Sequence, residues 1–274
     1  MGIIPIPLKY PGNEKKFSNL LSILNECKPS CLVSTKALKT EEIYSIPWIE
    51  LDEQYSTEAF VTPNTYSEIA FIQFTSGSTS DSKGIMISHD NLKLIGTYLT
   101  SDPVNQITAS WLPHYHDMGL IGSYLATLYY GASGYYMAPT TFMTNPNIFL
   151  QLISDTKATL IQCPNVAYEY MASQWDNRDI DLSSIQNAIN AAEPVHEETI
   201  NKFYSVFEQK GFHKEAMKPT YGLAEATLFV SQSNTLYSKS CQGYMACGLC
   251  PDVDIRIVNP ETQSECVEGQ VGEI

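Results

Sequence analysis

Apolar residues recur along this chain with two different periods, and the alternation between them lays out its elements. Phe17, Leu20, Leu21 and Leu24 fall at helical spacing behind Asn13, whose side chain can cap a helix. Residues 31–35 and 47–51 read as short strands, and residues 1–7 as a buried strand. Residues 52–67 are polar and turn-rich, which predicts a surface connection into the apolar run Ile69, Ala70, Phe71, Ile72, Gln73, Phe74. A second apolar run follows at Ile85, Met86 and Ile87, and Ser88 or Asp90 can then cap a helix through Leu92, Ile95, Gly96 and Leu99. Beyond it the pattern predicts strands over 108–112, 134–137, 158–162, 185–192 and 253–258, with a turn at 259–263. Helices are predicted over 119–130 and 145–157, the second with Asn145 as cap and Pro146 at its first position. Two more begin at Pro164 (Val166, Tyr170, Met171) and after Pro194 (Ile200, Phe203, Phe207). Short strands alternating with amphipathic helices define an α/β fold of helix-flanked sheets.

Composition narrows the class further. At 274 residues, 43% hydrophobic and 17% charged, the chain can bury a core and is neither disordered nor a coiled coil. Its net charge of −14 repels nucleic acid and anionic membranes, and no local basic patch offsets that field. Residues 118–154 hold no Asp, Glu, Lys or Arg, but Gly131, Gly134, Pro139 and Pro146 interrupt the stretch. It reads as buried core or as the wall of an apolar pocket, and no transmembrane segment is expected. The opening residues lack the charged start of a signal peptide, and the seven cysteines fit reduced thiols, so the expected compartment is cytoplasmic. Cys247 and Cys250 form a single CxxC, where a zinc ribbon wants two such pairs.

Candidate chemistry is concentrated between the first two well-marked strands. Thr75, Ser76, Gly77, Ser78, Thr79, Ser80, Asp81, Ser82, Lys83 and Gly84 include six hydroxyl residues, two glycines and a lysine. Successive backbone N–H groups, hydroxyls and a cation make such a loop a phosphate cradle, with Lys83 as a point charge for the outer phosphates. It is not a Walker loop, because Ser82 stands where the second glycine must be and Gly84 follows the lysine. An acidic protein that binds a nucleotide triphosphate must do so through a local cradle and a bound Mg²⁺. Farther on, His114, His116 and Asp117 cluster after a predicted strand, but Asp117 directly follows His116, which breaks the HxHxDH spacing of dinuclear hydrolases. No GxSxG occurs, which argues against a serine hydrolase.

The TSGSTxxxKG run between two strands resembles the phosphate-binding signature of the adenylate-forming enzymes, the superfamily of acyl-CoA ligases, peptide-synthetase adenylation domains and luciferases. Ser80 stands where their usual form has glycine. WLPHYHDMGLIG over residues 111–122 resembles the corresponding run of one branch, the fatty-acyl-AMP ligases, and YGLAEAT over 221–227 matches that branch again. The resemblance implies that Thr75, Ser76, Gly77, Ser78, Thr79, Lys83 and Gly84 hold phosphates and that His116 faces the reacting carboxylate. Asn190, Ala191, Ala192 and Glu193, followed by Pro194, align with a family NGAEP whose small residues let the backbone lie against adenine. Tyr221 would stack on adenine, with Gly222, Leu223 and Ala224 beside it, and Glu225 would hold Mg²⁺. Residues 1–243 would then belong to the α/β AMP-binding large domain, and 244–274 would begin a β-rich, barrel-like lobe.

The reaction so implied is activation of a fatty acid by ATP to acyl-AMP with release of pyrophosphate, the acyl group then passing to a carrier-protein thiol. The interval between YGLAEAT and Cys247-Gly248 is shorter than in fatty-acyl-AMP ligases, and the insertion it lacks is the one associated with refusing CoA. A fatty acyl-CoA ligase therefore stays open as an alternative. By the same resemblance a ribose-binding Asp, a hinge and a small domain with a catalytic Lys lie outside these residues. An impaired remnant that binds only nucleotide, acyl chain or a partner is the third reading, and the isolated chain is expected to adenylate poorly.

Overall fold

The computed structural model describes residues 2–10, 14–34, 43, 46–51, 67–75, 83–99, 105–233, 240–248 and 253–274. They divide into one unit of Met1–Leu94 with His114–His116 and another of Ile95–Pro113 with Asp117–Ile274.

In the first unit, helix α1 (Glu14–Cys27) precedes two short parallel strands, β1 (Leu32–Ser34) and β2 (Trp48–Glu50). Strands β3 (Ile69–Phe74) and β4 (Gly84–Ser88) pair antiparallel with Phe74 opposite Gly84. The buried strand expected over 1–7 does not form: residues 2–10 are irregular, and Pro5 contributes one carbonyl, which accepts the Ile72 amide at 3.0 Å. Pro5 and Pro7 have no N–H to give a ladder, which is sufficient reason. Helix α2 (His89–Gly96) is capped by Ser88 rather than Asp90. The Ser88 hydroxyl accepts the Asn91 amide at 3.0 Å while Asn91 Oδ1 accepts the Ser88 amide at 3.0 Å, a reciprocal cap of two otherwise unpaired donors.

The second unit is built on a sheet of β5 (Ile107–Ser110), β6 (Ser133–Tyr136), β7 (Leu160–Pro164), β8 (Asn187–Ala191), β9 (Met217–Tyr221) and β10 (Ser231–Gln232). Their spatial order is β10-β9-β8-β7-β5-β6, and every neighbouring pair is parallel except β9 with β10. Parallel strands place all their C-terminal ends on one edge of the sheet, the edge at which open α/β folds bind ligands. Here that edge carries the residues after Ser110, Pro164, Ala191 and Tyr221.

Helices cover the sheet because their apolar faces have nowhere else to go. The chain passes through α3 (Asp117–Gly119), a π-helical stretch (Leu120–Leu125) and α4 (Ala126–Tyr130), then α5 (Pro139–Thr144) and α6 (Asn147–Thr156). Helices α7 (Asn165–Ser173) and α8 (Glu197–Phe207) pack together, the Tyr168 and Phe203 rings meeting edge to face at 5.1 Å. Phe149, Leu150, Ile153, Ile161, Tyr168, Met171, Phe203 and Phe207 lie in one continuous core. Asn145 caps α6 as expected, its Oδ1 accepting the Asn147 amide at 3.0 Å.

Three local expectations are revised. Helix α5 falls in a stretch given no element, because Pro139 reads as an interruption although the first helical turn tolerates it. Pro164 closes β7 opposite Ala191 instead of opening the next helix, which starts at Asn165. The strand expected over 253–258 is reduced to Val258, which bridges Glu265 and Glu273. The small hairpin of β11 (Ser240–Cys241) and β12 (Tyr244–Met245) turns at Gln242 and Gly243, both with positive φ as its tight turn requires. Among the described residues no helix is long and apolar enough to cross a membrane.

Candidate functional site

In the first unit the two ends of the hydroxyl-rich loop are drawn together. The Thr75 amide donates to the Lys83 carbonyl at 3.0 Å, and the Lys83 amide donates to the Thr75 hydroxyl at 3.3 Å. Gly84 completes the base, where a Cβ would come within 3.0 Å of Ile72 and Phe74. Lys83 itself is exposed. Ser76, Gly77, Ser78 and Thr79 lie outside the described residues.

The half-buried His116 belongs to this same unit, in the segment His114–His116. Its neighbour Tyr115 is tied to β3: the side-chain amide of Gln73 donates to the Tyr115 carbonyl at 2.8 Å, and Lys9 stands over the Tyr115 ring at 5.6 Å. Gln73 is 3% exposed and precedes the loop by two residues, so one strand both leads into the loop and holds the histidine segment. Its side-chain oxygen has no partner among the described residues. Sequence reasoning read Gln73 only as part of an apolar run; a polar residue in such a run is the signal that could have singled it out.

In the second unit the two remaining motifs come side by side. Asn190 lies opposite Pro219 in the parallel pairing of β8 with β9, so Ala191, Ala192 and Glu193 leave the sheet beside Tyr221 and Gly222. Ala191 is buried with an ordinary negative φ, whereas Ala192 is exposed at φ 69°. The position at which alanine replaces the family's glycine is therefore not the one that needs left-handed backbone. Tyr221, Leu223 and Ala224 are half-buried, and Glu225 is exposed on the single turn Ala224–Ala226. Gly222 is fixed by space: a Cβ there would stand 1.8 Å from the Leu228 carbonyl oxygen. Thr227, at φ 72° and ψ −45°, is a strained β-branched residue that ends the turn.

Two predicted ligands are engaged elsewhere through their side chains. Asn190 is completely buried and its side-chain amide donates to Asn165 Oδ1 at 3.3 Å. The Glu193 carboxylate accepts the Val166 amide at 2.6 Å, at the start of α7. The Asn190 side-chain oxygen has no partner among the described residues, and one Glu193 carboxylate oxygen is the one that holds the α7 amide. Below them, Cys163 sits at 0% exposure and accepts a hydrogen bond from the Trp111 indole at 3.3 Å. Burial pushes its thiol up to about 12, against a smaller lowering by that hydrogen bond, so the sulfur is protonated and inert. Burial also raises the Tyr168 hydroxyl. Among the described residues no group of three His, Cys, Asp or Glu could cage a metal. A solitary exposed carboxylate such as Glu225 suits Mg²⁺, which takes one or two carboxylates and completes its shell with phosphate and water.

Residues 10–274 match the family described as AMP-binding enzyme. The chain is 33% identical to the medium-chain fatty acid acyl-carrier-protein ligase JamA of Moorena producens, over 100% of this chain and 54% of that protein. It is 34% identical to a ligase of the same description, TtuA of Teredinibacter turnerae, over 81% of this chain and 39% of that protein. The chain thus spans about half the length of the curated relatives it matches, or less. A fatty acyl-adenylate ligase from L. pneumophila, solved with acyl adenylate and pyrophosphate, superposes with a TM-score of 0.86 at 34% identity, covering 97% of this chain and 53% of that one. The helix-flanked α/β architecture expected from the sequence is the fold of that ligase.

Proposed function

Because this chain belongs to the AMP-binding enzyme family, we propose that it serves the ATP-dependent activation of a fatty acid to acyl-AMP, the acyl group then passing to a carrier-protein thiol. The observation that carries this reading is the adjacency of the Asn190–Glu193 and Tyr221–Glu225 segments at the C-terminal ends of neighbouring strands. In the proposed chemistry a carboxylate oxygen of the fatty acid attacks the ATP α-phosphorus and pyrophosphate leaves, a reaction governed by positioning and electrostatics. Tyr221 offers a ring face to adenine, and the backbone of Ala191 and Ala192 is its small-residue floor. Lys83 and the loop hydroxyls neutralise and orient phosphates, and His116 faces the carboxylate. Glu225 would hold Mg²⁺, which supplies charge neutralisation to the phosphates.

The carrier-protein acceptor is supported by the printed descriptions of the two ligases above. An acyl-CoA ligase is the second reading, favoured by the short interval between Val230 and Cys247. Turnover with CoA and no turnover with a phosphopantetheinyl carrier would select it. We place the reaction in the cytoplasm, in keeping with the unpaired cysteines among the described residues, and residues 244–274 at the start of a second, β-rich lobe.

The test is a calorimetric titration of the chain with a non-hydrolysable lauroyl-adenylate analogue and Mg²⁺. Binding is expected, and Tyr221→Ala and Glu225→Ala should each weaken it by about tenfold or more. A folded chain that binds no analogue, or variants that bind as the unaltered chain does, would overturn the assignment.

A further inference from the structure

We propose that Asn165 is a positioning residue for the adenine-facing loop, a reading that rests on the function proposed above. Asn165 opens α7 directly after Pro164 and is 6% exposed. Its side-chain oxygen accepts two hydrogen bonds, from the side-chain amide of Asn190 at 3.3 Å and from the backbone amide of His196 at 3.1 Å. Its side-chain nitrogen donates to the Thr199 hydroxyl at 3.1 Å. One carbonyl oxygen, using both lone pairs, therefore clasps the two ends of residues 190–196. The next residue adds a third tether, since the Val166 amide donates to Glu193 within the same segment. Two consecutive residues at the head of one helix thus tether the start, middle and end of the excursion that carries Ala191 and Ala192, whose far end is also held by the Met245 amide on the Val195 carbonyl at 2.8 Å.

The strain in that excursion gives the clasp something to do. Ala192 is held at φ 69°, a region an alanine avoids by about 1–2 kcal/mol, and an exposed methyl makes no compensating burial. Released, the segment would relax toward ordinary backbone, and its amides would no longer point where a bound adenine needs them. Leucine at 165 has the same branched shape but leaves Asn190 and the His196 amide without a partner, beside an Asn190 Oδ1 that already has none among the described residues. Those donors can reach water only if the loop lifts. Aspartate keeps both acceptor positions, and the Thr199 hydroxyl can turn to donate to it, so three donors hold the carboxylate ionised.

The experiment compares the unaltered chain with Asn165→Leu and Asn165→Asp by amide hydrogen exchange over residues 190–196 and by calorimetry with the lauroyl-adenylate analogue. In Asn165→Leu, exchange over residues 192–196 should rise about tenfold or more while β7 and β8, through Ala191, stay protected, and affinity should fall about tenfold. Asn165→Asp should restore both to within about threefold of the unaltered chain. If Asn165→Leu does not fold, Asn165→Ser, too short to reach both donors, is read by the same two measurements. A folded Leu or Ser variant with unchanged exchange and affinity overturns the proposal, as does an Asp variant no better than Leu. If the unaltered chain binds no analogue, the functional reading falls while the exchange comparison still decides whether Asn165 holds the loop.

Discussion

Replacing Gly222 by alanine tests the local logic of the Tyr221–Thr227 segment. The glycine has no positive φ, so its requirement is space: the added Cβ would lie 1.8 Å from the Leu228 carbonyl oxygen. To bring that contact to even 3.0 Å the two backbone stretches must part by about 1.2 Å, and neither is a flexible side chain that could swing away. What they would part is the closure of the segment, where the Val230 amide donates to the Tyr221 carbonyl at 3.0 Å and Ser231 pairs with Tyr221. Losing one or two such bonds at about 1 kcal/mol each, with overpacking of about 1–2 kcal/mol, destabilises by roughly 2–4 kcal/mol. In a unit of this size that lowers the melting temperature by roughly 5–15 °C. Gly131→Ala is the comparison, since a Cβ there meets nothing within 4 Å and suffers only from φ 63°; it should cost about 1 kcal/mol. Thermal melts followed by near-ultraviolet circular dichroism read both variants. A Gly222→Ala chain that melts within about 2 °C of the unaltered chain, or above Gly131→Ala, refutes the steric argument.

Other consequences can be checked on the same material. Ala192→Gly relieves the left-handed backbone and should stabilise by about 0.5–1 kcal/mol, whereas Ala191→Gly, in a buried strand end with ordinary backbone, should destabilise by about 1 kcal/mol; paired thermal melts decide the order. Cys163, held protonated with a thiol raised to about 12, should resist alkylation at pH 8 until the chain is denatured, while exposed Cys241 is labelled at once; peptide mass mapping reads both. Asp181 is held below the usual carboxylate range, first by the hydrogen bonds of Ser183 and then by Lys157. A depressed folded value means stability that is present above the unfolded value of about 3.9 and lost as pH falls through the folded one. Asp181→Asn should therefore melt lower than the unaltered chain at pH 7, with the gap closing as the pH drops below about 4; a gap that persists or widens in acid refutes the linkage.

Much of the functional reading was legible in single stretches. The runs at 75–84, 111–122 and 221–227 together carry enough chemistry in contiguous residues to identify the AMP-binding family without any fold in hand. The strands and helices of the second unit were legible for a related reason, since apolar residues at period 2 or 3.6 report the burial that packing then enforces. Prolines carry no such single meaning. Pro5 and Pro7 remove the amides of an expected strand, Pro139 opens a helix, and Pro164 ends a strand, because the role of a proline depends on whether its missing N–H would have had a partner. The π-helical turn at Leu120–Leu125 carries no such local mark. It coincides with Gly122, whose missing Cβ leaves room for Gln162 to donate to its carbonyl, a contact between residues far apart in the chain.

The sequence by itself determined the family, the α/β class and the residue types that a nucleotide-activating site needs, because those are written in short motifs and local periodicity. Only the tertiary structure decided which of those side chains are tied into the fold. It turned the side chains of Asn190 and Glu193 onto the head of α7, placed left-handed backbone at Ala192, and joined Asn190 to Asn165 and Gln73 to the Tyr115 carbonyl. The reason is that a hydrogen bond between residues 25 or 42 positions apart depends on sheet order and register, and neither is encoded in any one stretch of the chain.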